Sequence, residues 1–170
     1  MIPRNLIIGI VVAAVVVVAL AVVYVGANSS HVVAAGDNVS VYYTGTLANG
    51  TVFGSNVGGT PLNFTAGSSQ VIQGFDNAVI GMKVGQNKTV TIPPSEAYGA
   101  VNQSLIINVP ISDFGNQTVQ TGMTVASNYN GTSARGFIKA VNSTTVIVDY
   151  NSPLAGQTLT FKIEVVGIRR

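Results

Sequence analysis

The sequence predicts an α+β chain: an antiparallel sheet wrapped around one short helix, a small β-rich unit inserted into it, and one transmembrane helix in front. Three observations carry this. Twenty apolar residues, 6–25, run without a charged or strongly polar side chain. Beyond them the chain is rich in Thr, Val, Asn, Ser and Gly, the residues of strands and turns. Only one later stretch, residues 74–82, repeats apolar side chains at helical spacing.

The elements follow in chain order. Residues 6–25 read LIIGIVVAAVVVVALAVVYV. At about 1.5 Å per residue a helix of this length covers about 30 Å, the thickness of a bilayer's hydrocarbon core. Arg4 precedes it and no Lys or Arg follows until Lys83, which sets the N-terminus in the cytoplasm and residues 28–170 outside. A cleaved signal peptide competes, with Val25, Gly26 and Ala27 at its cleavage point. Signal peptides have apolar regions of roughly 7–15 residues, which favours the anchor; a buried core helix is the third reading. Residues 28–35 (NSSHVVAA) form a polar linker. Its His31 is read as a solvated side chain, set against a pH sensor or metal ligand, because no second ligand stands near it.

Residues 38–47 alternate Val39, Val41 and Tyr43 against Asn38, Ser40 and Tyr42, the period of a half-buried strand. Asn49 and Gly50 then mark a hairpin turn into Thr51, Val52 and Phe53. A short strand follows around Asn63 and Phe64. In the helix, Phe75, Ala78, Val79 and Met82 recur at spacings of three and four. Residues 86–92 are a strand halted by Pro93 and Pro94, and residues 157–168 are the last, with Leu159, Phe161, Ile163 and Val165 on one face. Between Tyr98 and Pro153 the rhythm changes. Residues 110–114 suggest a helical turn with Ser112 as its cap, and residues 124–129, 135–142 and 144–150 read as three short strands. The two ends of this insert must lie close together, because the last strand belongs to the first sheet.

Composition excludes several functions. Charged residues are 8% of 170, against roughly 25% in an ordinary soluble domain. The pI is near 9.0, but it rests on a net charge of +2 with no Lys/Arg cluster, which is no nucleic-acid footprint. Without cysteine there is no disulfide, thiol nucleophile or thiolate metal site, and a single histidine disfavours a Ser-His-Asp triad. N-x-S/T occurs at nine asparagines, from Asn28 to Asn142, which marks either glycosylation or an Asn- and Thr-rich composition.

Five ordered motifs carry a family resemblance: YTG at 43–45, VIQGF at 71–75, GMKVG at 81–85, EAYG at 96–99 and LAGQ at 154–157. Over residues 36–168 the chain resembles the FKBP-type peptidyl-prolyl cis/trans isomerases, most closely the SlyD-like subgroup, which carries an insert-in-flap chaperone domain at this point. The resemblance implies an FKBP-like half-barrel and a proline pocket lined by Tyr43, Phe53, Leu62 and Val71, with Ile72, Phe75, Tyr98 and Phe161 completing it. Phe75 is the aromatic floor, the Ile72 N–H holds a substrate carbonyl, and the Tyr98 hydroxyl holds the carbonyl on the other side. Gly67 and Gly74 permit the turns that present Val71 and Ile72. From periodicity alone the same aromatics also suit a plain core.

Such an enzyme needs no nucleophile, metal or cofactor. An apolar pocket disfavours the charge-separated planar amide and so favours the twisted one. Two departures stand out. Gly54 occupies the position where the family usually has Asp, and the chain stops at Arg169 and Arg170 without the metal-binding tail of some SlyD-like proteins. Asp76 and Glu96 are read as helix-start charge and surface residue.

The expected organisation is an anchor at 1–27, a linker at 28–35, an isomerase domain at 36–99 and 152–170, and a chaperone-like insert at 100–151. In the insert, Leu105, Ile106, Ile107, Val109, Phe114 and Met123 either meet clients or form its own core. The expected function is isomerisation of X-Pro bonds in exported or cell-surface proteins, by a monomer at the cell membrane. Its partners are unfolded or proline-containing polypeptides and, through residues 6–25, the lipid bilayer, with no nucleic acid, cofactor or metal. A non-catalytic chaperone and a structural cell-surface protein are the alternatives.

Overall fold

A computed structural model gives the fold and describes residues 31–129 and 132–170. The first sheet is antiparallel and built on β1 (Asn38–Leu47) and β9 (Leu159–Arg169), which run side by side along their whole lengths. β2 (Val52–Ser55) pairs with the second half of β1, and β3 (Leu62–Thr65) with the first half. β4 (Asn87–Ile92) closes the other side, giving the order β2-β1-β9-β4 with β3 also on β1. Leu159, Phe161, Ile163 and Val165 are buried from alternate positions of β9, against Val39 and Val41 of β1. A register shift opposite Ser40 and Val41 leaves Val166 as the extra residue and returns Ile168 to the core side.

The helix α1 (Gln73–Val79) packs on β4 and β9 through Phe75, Ala78 and Val79. It ends one turn before the sequence pattern does. Ile80 leaves helical geometry and Gly81 has φ +81°. The Gly81 N–H then donates to the Val33 carbonyl (2.8 Å), and the Val33 N–H to the Met82 carbonyl (2.8 Å). Pairing with a distant segment replaces the last helical turn. The same contacts draw Val32 and Val33, expected in a linker, into the fold, and Val33 is buried.

His31 is likewise tied down. Its Nε2 lies 3.1 Å from Asp37 Oδ2, which also accepts the Ala34 N–H at 3.0 Å, and Arg170 approaches the other oxygen at 3.6 Å. The Ala34 amide holds the Asp37 carboxyl below the usual carboxylate range, against the cost of burial, and His31 and Arg170 add to the effect.

The insert is a second antiparallel sheet of β5 (Ile106–Pro110), β6 (Thr124–Tyr129), β7 (Thr132–Val141) and β8 (Thr145–Asp149), in the order β5-β8-β7-β6. It has its own core of Ile138, Val146 and Val148, with Val109, Phe114 and Val125 packed against it. Where the chain crosses between units, the Gly156 N–H donates to the Gly99 carbonyl (2.7 Å). The buried Asn151 side chain accepts the Asn102 N–H (2.8 Å) and donates to the Asn102 carbonyl (3.0 Å).

The transmembrane helix expected at residues 6–25 is a correction. Among the described residues no helix is long and apolar enough to cross a membrane. With seven residues, α1 covers only about 10 Å of the about 30 Å required. Residues 6–25 lie outside the described residues, so the fold gives the anchor no support. The bilayer as a partner and the single-pass cell-membrane address fall with it.

Candidate functional site

One cavity of about 450 Å³ opens on the first unit. All eight expected residues line it: Tyr43 from β1, Phe53 from β2, Leu62 from β3, Val71 and Ile72 before α1, Phe75 in α1, Tyr98 after β4, and Phe161 in β9. Ser69 and Gln70 line it as well. Sequence reasoning passed over these two, although their adjacency to Val71 was the available signal.

Packing fixes the aromatic floor. The Phe75 ring meets Phe161 edge-on at 5.1 Å, Tyr43 at 5.8 Å and Phe64 at 5.9 Å between centroids. Phe53 meets Phe161 edge-on at 5.6 Å. Such pairs lock ring orientation as well as adding about 0.5–1.5 kcal/mol each. Two glycines make room for this cluster. At Gly45 a Cβ would fall 2.5 Å from the Phe53 ring and 3.0 Å from Phe161. At Gly74 it would run into Ile92, so Gly74 serves the close approach of helix to sheet, rather than a turn. Gly67, with φ +79°, does sit in a turn.

The rim before α1 is held by polar groups. Both carboxylate oxygens of Asp76, buried within α1, accept the Gly67 N–H (2.8 and 3.0 Å). The Gln70 Oε1 accepts the Thr65 N–H (2.9 Å). Asp76 stands in the first turn of α1, as expected, and is in addition a loop clamp. Asn56 does similar work on the other wall, accepting the Tyr43 N–H (2.7 Å) and donating to the Val41 carbonyl (3.0 Å). Among the described residues neither the Ile72 N–H nor the Tyr98 hydroxyl has a hydrogen-bond partner. Tyr98 is 46% exposed, so its hydroxyl is free to meet a ligand. At Gly54 a Cβ would meet nothing within 4 Å. Among the described residues no three His, Cys, Asp or Glu gather as a metal centre.

A model of the FKBP-type peptidyl-prolyl cis-trans isomerase family matches residues 30–166. The chain belongs to this family. It is 33% identical over 132 residues to a probable FKBP-type 16 kDa peptidyl-prolyl cis-trans isomerase of Pseudomonas fluorescens, covering 77% of this chain and 88% of the relative. It is 36% identical over 119 residues to the FKBP-type peptidyl-prolyl cis-trans isomerase SlyD of Helicobacter pylori, covering 69% and 64%. A short-type peptidyl-prolyl cis-trans isomerase of Methanocaldococcus jannaschii is 41% identical over 107 residues, covering 62% and 66%. The chain spans just under two thirds of the Helicobacter and Methanocaldococcus relatives. This FKBP-type protein is a peptidyl-prolyl cis-trans isomerase with a β-rich insert.

The insert has a cavity of its own, of about 420 Å³, lined by Val109, Phe114 and Met123 among others. Val109 and Phe114 belong to the insert's core, whereas Met123, Leu105 and Ile107 are exposed. Ile106 is half-buried in β5, a strand that the sequence pattern did not signal.

Proposed function

We propose that the aromatic cavity takes the proline of an X-Pro peptide and that its eight lining residues carry the catalysis. The supporting observation is their convergence from seven separate elements and loops on one apolar concavity. Planarity of the X-Pro bond comes from amide resonance, and the rotation barrier is about 18–20 kcal/mol. Twisting removes the charge separation of the planar form. Walls of Tyr43, Phe53, Leu62, Phe75 and Phe161 solvate the twisted, less polar state better than the planar one. This is differential binding of the state on the way over the barrier. The Ile72 N–H and the Tyr98 hydroxyl, both free, hold carbonyls on the two sides of the rotating bond. Val71 closes the rim.

The insert, in this proposal, holds unfolded clients on the exposed Met123 and the cavity beside it. A client held there stays near the isomerase cavity, which raises the effective concentration of its prolines.

The test is refolding of a protein whose slow phase is prolyl isomerisation, with the full chain as catalyst. Wild type accelerates the slow phase, and Leu62→Ala and Phe75→Ala each lower the acceleration at least tenfold while far-UV spectra stay native. Replacing Met123 by Ser lowers suppression of client aggregation but leaves turnover of a short X-Pro peptide unchanged. A folded Leu62→Ala variant at wild-type rate refutes the pocket, and a Met123→Ser variant that loses both activities refutes the division of labour.

A further inference from the structure

We propose that this chain carries asparagine-linked glycans at its exposed N-x-S/T sites. Of fifteen asparagines, nine are followed two positions on by Ser or Thr, none with an intervening proline. Ser and Thr together make up 28 of 170 residues, so composition alone supplies about two or three such sites. The surplus is spread along the chain rather than gathered in one Thr-rich run.

The fold leaves the motif asparagines accessible. Seven of the nine lie where the structure describes side chains, and all seven are exposed. Asn56 and Asn151, whose side chains bond backbone groups across the fold, stand outside the motif, and the motif asparagines Asn38 and Asn63 accept only hydroxyls from the neighbouring strand. At Asn49, Asn102 and Asn142 the Oδ1 accepts the backbone N–H of the motif's own hydroxyl residue, at 2.9, 3.0 and 3.0 Å. The Nδ2 of each of these three has no partner among the described residues. None of the seven asparagines, and none of their paired hydroxyl residues, lines the isomerase cavity. Glycans at these positions leave proline access open.

The chemistry is transfer from a sugar activated as a phosphate ester. The Nδ2 attacks the anomeric carbon, the C–N bond forms as the C–O bond to phosphate breaks, phosphate leaves as the anion, and Nδ2 gives up one proton. The product supplies hydration to a surface that has few charges of its own, 8% of residues.

The test is mass spectrometry of the protein purified from the organism that makes it, as the intact chain and as mapped peptides. The expected result is peptides bearing whole sugar residues at exposed motif asparagines, each addition lost in the matching Asn→Gln variant made in the same host. Refolding acceleration stays at the wild-type level in those variants, because the cavity is untouched. Bare polypeptide mass for every motif-containing peptide overturns the proposal, whatever the isomerase activity.

Discussion

Replacing Gly74 by Ala probes how closely the helix must sit on the sheet. The new Cβ overlaps Ile92 Cγ2 and lies 3.1 and 3.2 Å from Cγ1 and Cδ1, where carbon atoms ordinarily rest about 3.5–4.0 Å apart. Ile92 is 1% exposed and pairs with Leu159 of β9, so it has no room to swing aside. The helix or the strand must give way by about 1 Å, and overpacking of this kind costs about 1–3 kcal/mol. In a chain of this size that lowers Tm by roughly 2–4 °C per kcal/mol. The same displacement moves Phe75 and the Ile72 N–H. A misplacement of about 1 Å at reacting groups costs on the order of 10²-fold in rate.

Ile92→Ala supplies the control. It removes all three clashing atoms but alone opens a cavity worth about 2–5 kcal/mol. The double variant is therefore less destabilised than the sum of the two singles, by about 1–3 kcal/mol. Urea denaturation of all four proteins, with kcat/KM on an X-Pro peptide, reads both effects. Additivity within about 0.5 kcal/mol, or a Gly74→Ala variant at wild-type rate, would refute the reasoning.

Three further outcomes are expected. Tyr98→Phe keeps the Tm and lowers kcat/KM roughly 2- to 12-fold, the worth of one hydrogen bond of about 0.5–1.5 kcal/mol, and an unchanged kcat/KM removes the hydroxyl from the mechanism. Because the Asp37 carboxyl titrates below its ordinary 3.8 in the fold, its contribution is complete above that pH and is lost as pH falls further. Acid unfolding followed by circular dichroism is accordingly shallower in Asp37→Asn. Asn151→Ala leaves the Asn102 N–H unpaired, while the Asn102 carbonyl keeps the Leu105 N–H, and costs about 1–3 kcal/mol, measured by urea denaturation, with faster amide exchange at the crossings between the units.

Much of the first sheet was legible in the sequence because one face of it is buried. Alternation at Val39 and Val41, and from Leu159 to Val165, is what half-buried strands impose. The cavity was legible through the family resemblance: its short motifs hold Tyr43, Val71, Ile72, Phe75 and Tyr98, and the stretches around them supplied Phe53, Leu62 and Phe161. What the sequence concealed depends on partners far along the chain. Val79 ends α1 because residues 81–83 pair with Val32 and Val33. Asp76 turns inward because the Gly67 N–H waits for it. Asn56 and Asn151 look like any other turn asparagine until their carbonyl and amide partners are in place. Hydropathy at residues 6–25 reads apolarity and length only, and no helix of that kind stands among the described residues.

The place of β9 has a consequence for the order in which the molecule can be made. This strand lies between β1 and β4, yet it is the last to be synthesised. Until it has emerged from the ribosome, β1 and β4 have no neighbour in common, and Phe161 is missing from the aromatic cluster and from the cavity's lining. The insert closes its sheet from residues 106–149 alone, and contacts so near in sequence form early. A nascent chain thus reaches a stage with a finished insert and an unfinished isomerase. At that stage the chain has no completed cavity with which to act on any proline, its own included.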